Sequence, residues 1–134
     1  MTQSTKQNPH IPTSWGELAD KITILQIKSE RLTKPSAIEN VRKELALLSA
    51  VLASELAATP KLATLQAELK TINERLWDIE NDIRIKEKNK QFDAGFIELA
   101  RSVYIENDNR AETKLAINTL LQSDLIEEKS YDKY

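Results

Sequence analysis

The segment from Leu99 to Ala111 carries the densest set of side chains able to bind an anion. The candidate binding residues in it, together with a lysine one turn further on, are Arg101, Tyr104, Asn107, Asp108, Arg110 and Lys114. Guanidinium and ammonium groups beside a phenol and amides bind carboxylate or phosphate well, so the segment predicts an anion-binding helix face. The alternative is a helix-end network, in which Asn107 or Asp108 caps a following helix and Arg110 pairs with an acid.

A second polar row follows the helical repeat upstream, at Asn73, Trp77, Glu80, Arg84 and Glu87. Glu80 and Glu87 flank Arg84 at a spacing that gives ordinary surface ion pairs. Trp77 points to partial burial, because its indole N–H then needs an acceptor. One interpretation is that another helix covers the row and that Arg84 and Glu80 form an internal ion pair. The other is that the row lines a ligand or partner site.

The sequence gives little support for other catalytic or metal-binding arrangements. The chain has one histidine, His10, and no cysteine, which argues against a Ser-His-Asp triad and against zinc bound by histidine or cysteine. Gly16 and Gly95 stand alone, so there is no glycine-rich phosphate loop. Glu74, Asp78 and Asp82 form an acidic row that could attract a divalent cation, but a solvated helix face is the favoured interpretation. We therefore expect no catalytic residue, no metal site and no cofactor.

Charge and hydropathy limit the partners and the location. The 134 residues include 19 basic and 21 acidic side chains, with a net charge of −2. This balance does not favour nucleic acid, which needs clustered Lys and Arg. No window has the run of about 18–20 apolar residues that a membrane helix requires, and the first residues do not resemble a secretory signal. We expect a cytoplasmic protein that binds neither nucleic acid nor membrane.

Apolar periodicity predicts the elements that position these side chains. An apolar seam, with members three and four residues apart, runs along one long helix at Leu62, Leu65, Leu69, Ile72, Leu76, Ile79 and Ile83. Few aromatic residues and two glycines also favour helices over sheets. The prediction is an all-α, four- or five-helix antiparallel bundle with one long heptad-patterned helix over about 60–89. Whether residues 92–123 form one helix or two, with a turn at 107–109, is left open.

Capping signals mark where the helices begin. Ser14 with Glu17, and Ser36 with Glu39, have the spacing of capping boxes. Thr59-Pro60 offers a capping hydroxyl followed by proline at the first helical position, and Asp93 is a further cap. The predicted organisation is a disordered N-terminal arm (1–10), a single helical domain (11–123) and an acidic tail (124–134) whose docking is left open.

Five sequence blocks carry a resemblance to a known family. They read IPTSWGELADKITIL (11–25), NVRKEL (40–45), INERLWDIE (72–80), FDAGFIELARSVYIENDNRA (92–111) and EEKSY (127–131). In them the chain resembles an uncharacterised bacterial family of small helical proteins of unknown function. The resemblance implies no activity, but it points to polar positions where a shared site is expected. These are Glu17, Asp20, Lys21, Asn73, Trp77, Glu80, Arg84, Arg101, Tyr104, Asn107, Asp108, Arg110 and Lys114.

Two functions are consistent with these observations. The long apolar seam favours a non-enzymatic interaction or oligomerisation module, most simply a homodimer. The alternative is a small helical enzyme or binding protein for an anionic metabolite such as a carboxylate, phosphate or sugar phosphate. Its cations would bind the anion, with Tyr104 and Glu80 as hydrogen-bonding or acid–base groups and Trp77 as a wall. The candidate ligand-binding residues are Trp77, Glu80, Arg84, Arg101, Tyr104, Asn107, Asp108, Arg110 and Lys114.

Overall fold

The computed structural model describes residues 6–134 and contains four helices over this range. They are α1 (Trp15–Arg31), α2 (Pro35–Ala58), α3 (Pro60–Lys88) and α4 (Ala94–Leu120). The all-α prediction is confirmed. Part of the predicted N-terminal arm, residues 1–5, lies outside the described residues, and residues 6–10 are exposed and have no regular secondary structure.

Two of the predicted helix starts are confirmed by their hydrogen bonds. The Ser14 hydroxyl accepts a hydrogen bond from the Glu17 amide at 3.1 Å, and the Asp93 carboxylate accepts one from the Phe96 amide at 3.0 Å. The predicted capping box at Ser36 is wrong, because α2 begins two residues earlier than this cap implies, at Pro35, with Lys34 as its N-cap. A proline fixes the backbone for the first helical position, so Pro35 starts the helix without a side-chain cap.

The segment 92–123 contains a single helix, α4, so the turn predicted as one alternative at 107–109 is absent. Asn and Asp are weak helix formers, and three in a row cost about 2 kcal/mol relative to alanine. Contacts made by neighbouring side chains on the same helix outweigh this cost. Arg110 and Lys114 both pair with acids of α1, which holds α4 straight through the segment.

Pairwise contacts establish the helix directions. Near one end of the bundle Gly16 of α1 bonds to Asn118 of α4, and further along Asp20 bonds to Arg110, so α1 and α4 are antiparallel. Lys86 of α3 pairs with Asp93 at the start of α4, which makes α3 and α4 an antiparallel hairpin. Helix α1 thus packs beside this hairpin, and α2 returns along α1.

The hydrophobic core occupies only one part of the bundle. It comprises Ala19, Ile22, Leu52, Leu62, Leu65, Leu69 and Ile117. On α3 the buried residues end at Leu76, and on α4 they begin at Lys114. Ile79 and Ile83 continue the apolar seam but are only half-buried. We call residues 77–105, which contain the last turns of α3 and the first turns of α4, the hairpin end.

Candidate functional site

A layer of polar side chains lies between α1, α3 and α4, directly beyond the apolar core. Its centre is the Asp20 carboxylate, which is only 1% exposed. Arg110 of α4 binds this carboxylate with two nitrogens: Nε donates to Oδ1 at 2.9 Å and Nη2 donates to Oδ2. The two-point geometry aligns the guanidinium plane with the carboxylate, which is the strongest form of such a pair.

The amide of Asn73 on α3 completes the coordination of Asp20. Its Nδ2 donates to Asp20 Oδ1 and to the Thr23 hydroxyl, both at 2.9 Å. The Thr23 hydroxyl in turn donates to the backbone carbonyl of Asp20 at 2.7 Å. Three helices therefore contribute to one closed network around a buried carboxylate.

A second set of contacts links α1 to α4 one turn away. Lys114, which is buried, donates to Glu17 Oε2 at 2.7 Å and lies 3.6 Å from Glu127 in the C-terminal tail. The amide of Gly16 donates to Asn118 Oδ1 at 2.7 Å. Position 16 must be glycine, because a Cβ there would overlap the backbone carbonyl oxygen of Lys114. This close approach brings α1 near enough to α4 for the ion pairs to form.

Two charged groups of the layer have pKa values shifted by their partners. The hydrogen bond from Arg110 to Asp20 raises the pKa of the Arg110 guanidinium, against the opposing effect of burial. Glu127 has a lowered pKa, first because of its hydrogen bond to Lys129 and, after the opposing effect of burial, because of the charge of Lys114. Each buried charge thus has an opposite partner in contact. A carboxylate already paired in this way is poorly placed to act as a general base.

The nine predicted ligand-binding residues do not meet in one place. Arg110 and Lys114 join the polar layer. Tyr104 and Asp108 lie on the outer side of α4, against the C-terminal residue, where Tyr134 donates to Asp108 Oδ2 at 2.6 Å. Within the described part of the chain, the exposed side chains of Arg101 and Asn107 make no hydrogen bond or ion pair.

The row on α3 emerges from under α1 as it proceeds. Asn73 is buried and Trp77 is half-buried, with the Arg31 guanidinium 5.9 Å from the Trp77 ring centroid. The interpretation of Arg84 and Glu80 as an internal ion pair is wrong: the pair is on the surface, and the Arg84 side chain is 81% exposed. The reason is that α1 ends at Arg31, so nothing of α1 covers the later turns of α3.

The acidic row on α3 is engaged by a basic residue. Arg31 donates to Asp78 at 2.6 Å and lies 3.9 Å from Glu74. Across residues 6–134 there is no group of three or more His, Asp or Glu side chains arranged to hold a metal ion. The acidic row therefore acts as a partner for the end of α1.

Two open grooves lie elsewhere on the surface. One, of about 400 Å³, lies between α1, α2 and α3 and is lined by residues that include Ile22, Leu52 and Gln66. The other, of about 530 Å³, runs along α3 and α4 beside Leu65 and Leu115. No predicted ligand-binding residue lines either groove.

Sequence reasoning did not single out Thr23, Asn118 or Glu127. It placed Glu17, Asp20 and Asn73 among the shared-site positions, but not among the candidate ligand-binding residues. A signal was present on α4. The stripe that faces its neighbours reads apolar, then charged, then apolar: Leu99, Val103, Glu106, Arg110, Lys114, Ile117 and Leu121. Charged residues that replace apolar ones in a continuous stripe indicate a polar layer with partners on a facing helix.

Comparison with known proteins gives one match. The model of a family described as a family of unknown function (DUF6165) matches residues 10–134. No curated protein and no solved structure matches the chain. Within residues 6–134, no helix combines the length and apolar character needed to cross a bilayer.

Proposed function

This chain belongs to the family of unknown function DUF6165, and we propose that it is a non-enzymatic interaction module that forms a homodimer through its hairpin end. The observation that carries the proposal is the exposure of apolar side chains there. Those exposed at the hairpin end are Ile85, Phe92, Ile97, Tyr104 and Ile105. Exposed apolar side chains gathered at one end of a molecule are typical of an interaction surface.

The hairpin end consists of only two helices. Arg31, the last residue of α1, reaches Asp78 of α3. Helix α3 continues to Lys88, which is roughly 15 Å further at ~1.5 Å per residue. Two helices alone cannot enclose a core, and none of the described residues from 77 to 105 is buried. A second copy packed along the outer side of α4 would cover Ile97, Tyr104 and Ile105, which the hairpin leaves exposed.

The charges of the hairpin end are compatible with a second copy as the partner. The hairpin end contains six acidic and five basic side chains: Asp78, Glu80, Asp82, Glu87, Asp93 and Glu98, with Arg84, Lys86, Lys88, Lys90 and Arg101. Asp78 is paired with Arg31 of α1, which leaves five of each sign. A neutral, mixed surface meets an identical surface without net repulsion. In a twofold dimer the same surface of each copy forms the interface, and a residue of one copy contacts a different residue of the other. Arg84 of one copy can therefore approach an acidic residue of the other.

Sedimentation velocity over a concentration series tests the proposal. We expect the full chain to dimerise, and Ile97→Glu to weaken the dimer at least tenfold, because a charge would be buried in the interface. The control is Val51→Glu on α2. Val51 and Ile97 are similarly exposed, at 55% and 58%, but Val51 lies outside the hairpin end.

A chain that stays monomeric at the highest concentration, before and after removal of the C-terminal tail, would rule out the homodimer. Equal weakening by Ile97→Glu and Val51→Glu would place the interface elsewhere. Circular dichroism should show both variants folded, because both positions are exposed in the monomer.

The alternative function, binding of an anionic metabolite, has less support. An anion at Arg110 or Lys114 would compete with Asp20, Glu17 and Glu127, each already in contact with one of these cations. Arg84 and Arg101 lie apart from the polar layer, on exposed surface. A thermal shift with sugar phosphates or dicarboxylates that Arg110→Lys abolishes would favour this alternative.

A further inference from the structure

The C-terminal tail, residues 122–134, runs back along α4 and ends on the hairpin end. At the end of α4, Gln122 adopts a left-handed conformation (φ 53°), and the Ser123 amide donates to the Asn118 carbonyl at 2.8 Å. This is the geometry of a helix C-terminal cap that reverses the chain. The tail then passes Lys114, which Glu127 approaches, and reaches Tyr104 with its last residue.

Tyr134 covers part of the surface that we assign to self-association. Its ring lies edge-on against Tyr104, with the centroids 5.0 Å apart, and its hydroxyl donates to Asp108. The Asp108 carboxylate raises the pKa of Tyr134 to about 12, because its hydrogen bond favours the protonated phenol. Tyr104 is one of the exposed apolar residues of the hairpin end, and Ile97 lies two turns away on the same side of α4.

The tail is held by contacts that break easily. Residues 124–134 are all exposed, so the tail buries little surface of its own. Its ion pair from Glu127 to Lys114 can open without leaving a buried charge unpaired, because Lys114 retains Glu17 at 2.7 Å. Exposed pairs and single aromatic contacts are among the weakest in a protein, and segments held by them detach first.

From these contacts we infer that the C-terminal tail is an autoinhibitory strap: Tyr134 occupies the Tyr104–Asp108 part of α4 and competes there with a second copy of the chain. This inference rests on the proposed function, and it specifies how that association is regulated. If each tail favours its docked position by about twofold, it is free about one third of the time, and a dimer that requires both tails to leave is weakened about tenfold.

The test compares Tyr134→Ala with Tyr131→Ala by sedimentation velocity. The two tyrosines are matched, since both are in the tail and both are 77% exposed, but Tyr134 packs on Tyr104 and donates to Asp108, whereas Tyr131 lies beside Lys129 of the tail. We expect Tyr134→Ala, and deletion of residues 130–134, to tighten the dimer about tenfold. Tyr131→Ala should leave it unchanged.

The outcomes separate the two proposals. A wild-type dimer whose affinity is the same in Tyr134→Ala overturns the strap and leaves the homodimer intact. A weaker dimer in Tyr134→Ala also overturns it, because the tail would then belong to the interface. If the wild type, Tyr134→Ala and the variant that lacks residues 130–134 all fail to associate, both the homodimer and the strap are overturned.

Discussion

At the scale of single residues, the central feature is a buried carboxylate with a complete set of partners. Removing a carboxylate and a guanidinium from water costs several kcal/mol, and their attraction repays that cost only when the geometry is good. Asp20 meets this condition through Arg110 and Asn73. Such a pair adds little net stability, but any packing of the helices that separates its two charges is strongly unfavourable. We therefore assign the polar layer to fixing the register of α1, α3 and α4.

Loss of one partner should be far more costly than loss of a surface pair. We expect Arg110→Ala to lower the free energy of unfolding by about 3–5 kcal/mol, because the buried Asp20 carboxylate would lose its opposite charge. Asp78→Ala, which removes the exposed partner of Arg31, should cost less than about 1 kcal/mol. Urea denaturation of the two variants measures the difference. Similar losses would mean that the Asp20 site is hydrated in solution.

The two glycines differ in the space around them, so alanine should affect stability differently at the two positions. At position 16 an added methyl group would overlap the Lys114 carbonyl, and rigid backbone cannot yield. Gly16→Ala should therefore destabilise the protein by about 1–3 kcal/mol. At position 95 the nearest atoms are the flexible end of Lys86, at 3.1 Å, and the Asp93 carboxylate. Gly95→Ala should be neutral or slightly stabilising, because alanine is the better helix former. Thermal melts of both variants test the pair.

At the scale of elements, the sequence predicts helices well and their partners poorly. The caps at Ser14 and Asp93 were predictable because a cap depends on residues that are neighbours in the chain. Seen from the sequence, Glu17 completes a capping box at Ser14. In the structure it pairs with Lys114 instead. The partner of Glu17 depends on which helix packs against α1. The residues near Glu17 in the sequence do not determine that packing.

The candidate site shows the same limit. Arg110 and Lys114 were recognised as unusual, but their acids are on α1, about 90 to 100 positions away. Arg84 looked similar in sequence and is fully on the surface, because α1 ends too early to cover it. The position at which α1 ends therefore determines which of these basic residues are buried and paired and which are exposed.

The start of α4 should be sensitive to acid. Hydrogen bonds from the Phe96 amide and from Lys86 lower the pKa of Asp93 below its usual value. A lowered pKa in the folded state stabilises the fold above the unfolded value of about 3.9, and this contribution is lost as the pH falls through the folded pKa. Asp93→Asn retains a cap without the charge. We expect the stability difference between wild type and this variant to shrink as the pH is lowered from 6 to 2, measured by denaturation at each pH.

An Asp93→Ala variant provides the control for that experiment. It removes the cap at every pH, so it should stay less stable than Asp93→Asn throughout the range. A constant difference between wild type and Asp93→Asn would show that the carboxylate charge does not contribute.

At the scale of the whole molecule, the fold divides into a closed part and an open part. The closed part has four helices, an apolar core and the polar layer. The open part is the hairpin end, in which α3 and α4 extend beyond α1 with apolar side chains in solvent. The C-terminal tail connects them, since it crosses Lys114 in the polar layer and ends on Tyr104. Any event that releases the tail exposes the open part further.

The distance along the chain between α1 and α4 has a consequence for synthesis. Gly16 and Asn118 are 102 positions apart, and Asp20 and Arg110 are 90 apart. A ribosome releases α1 long before α4 exists, so the emerging chain carries acids on α1 whose partners have not yet been made. Folding domains complete their structure only when their last contacts become available. A prematurely terminated product would lack the pairs that close the fold, and proteases could distinguish it from the finished protein.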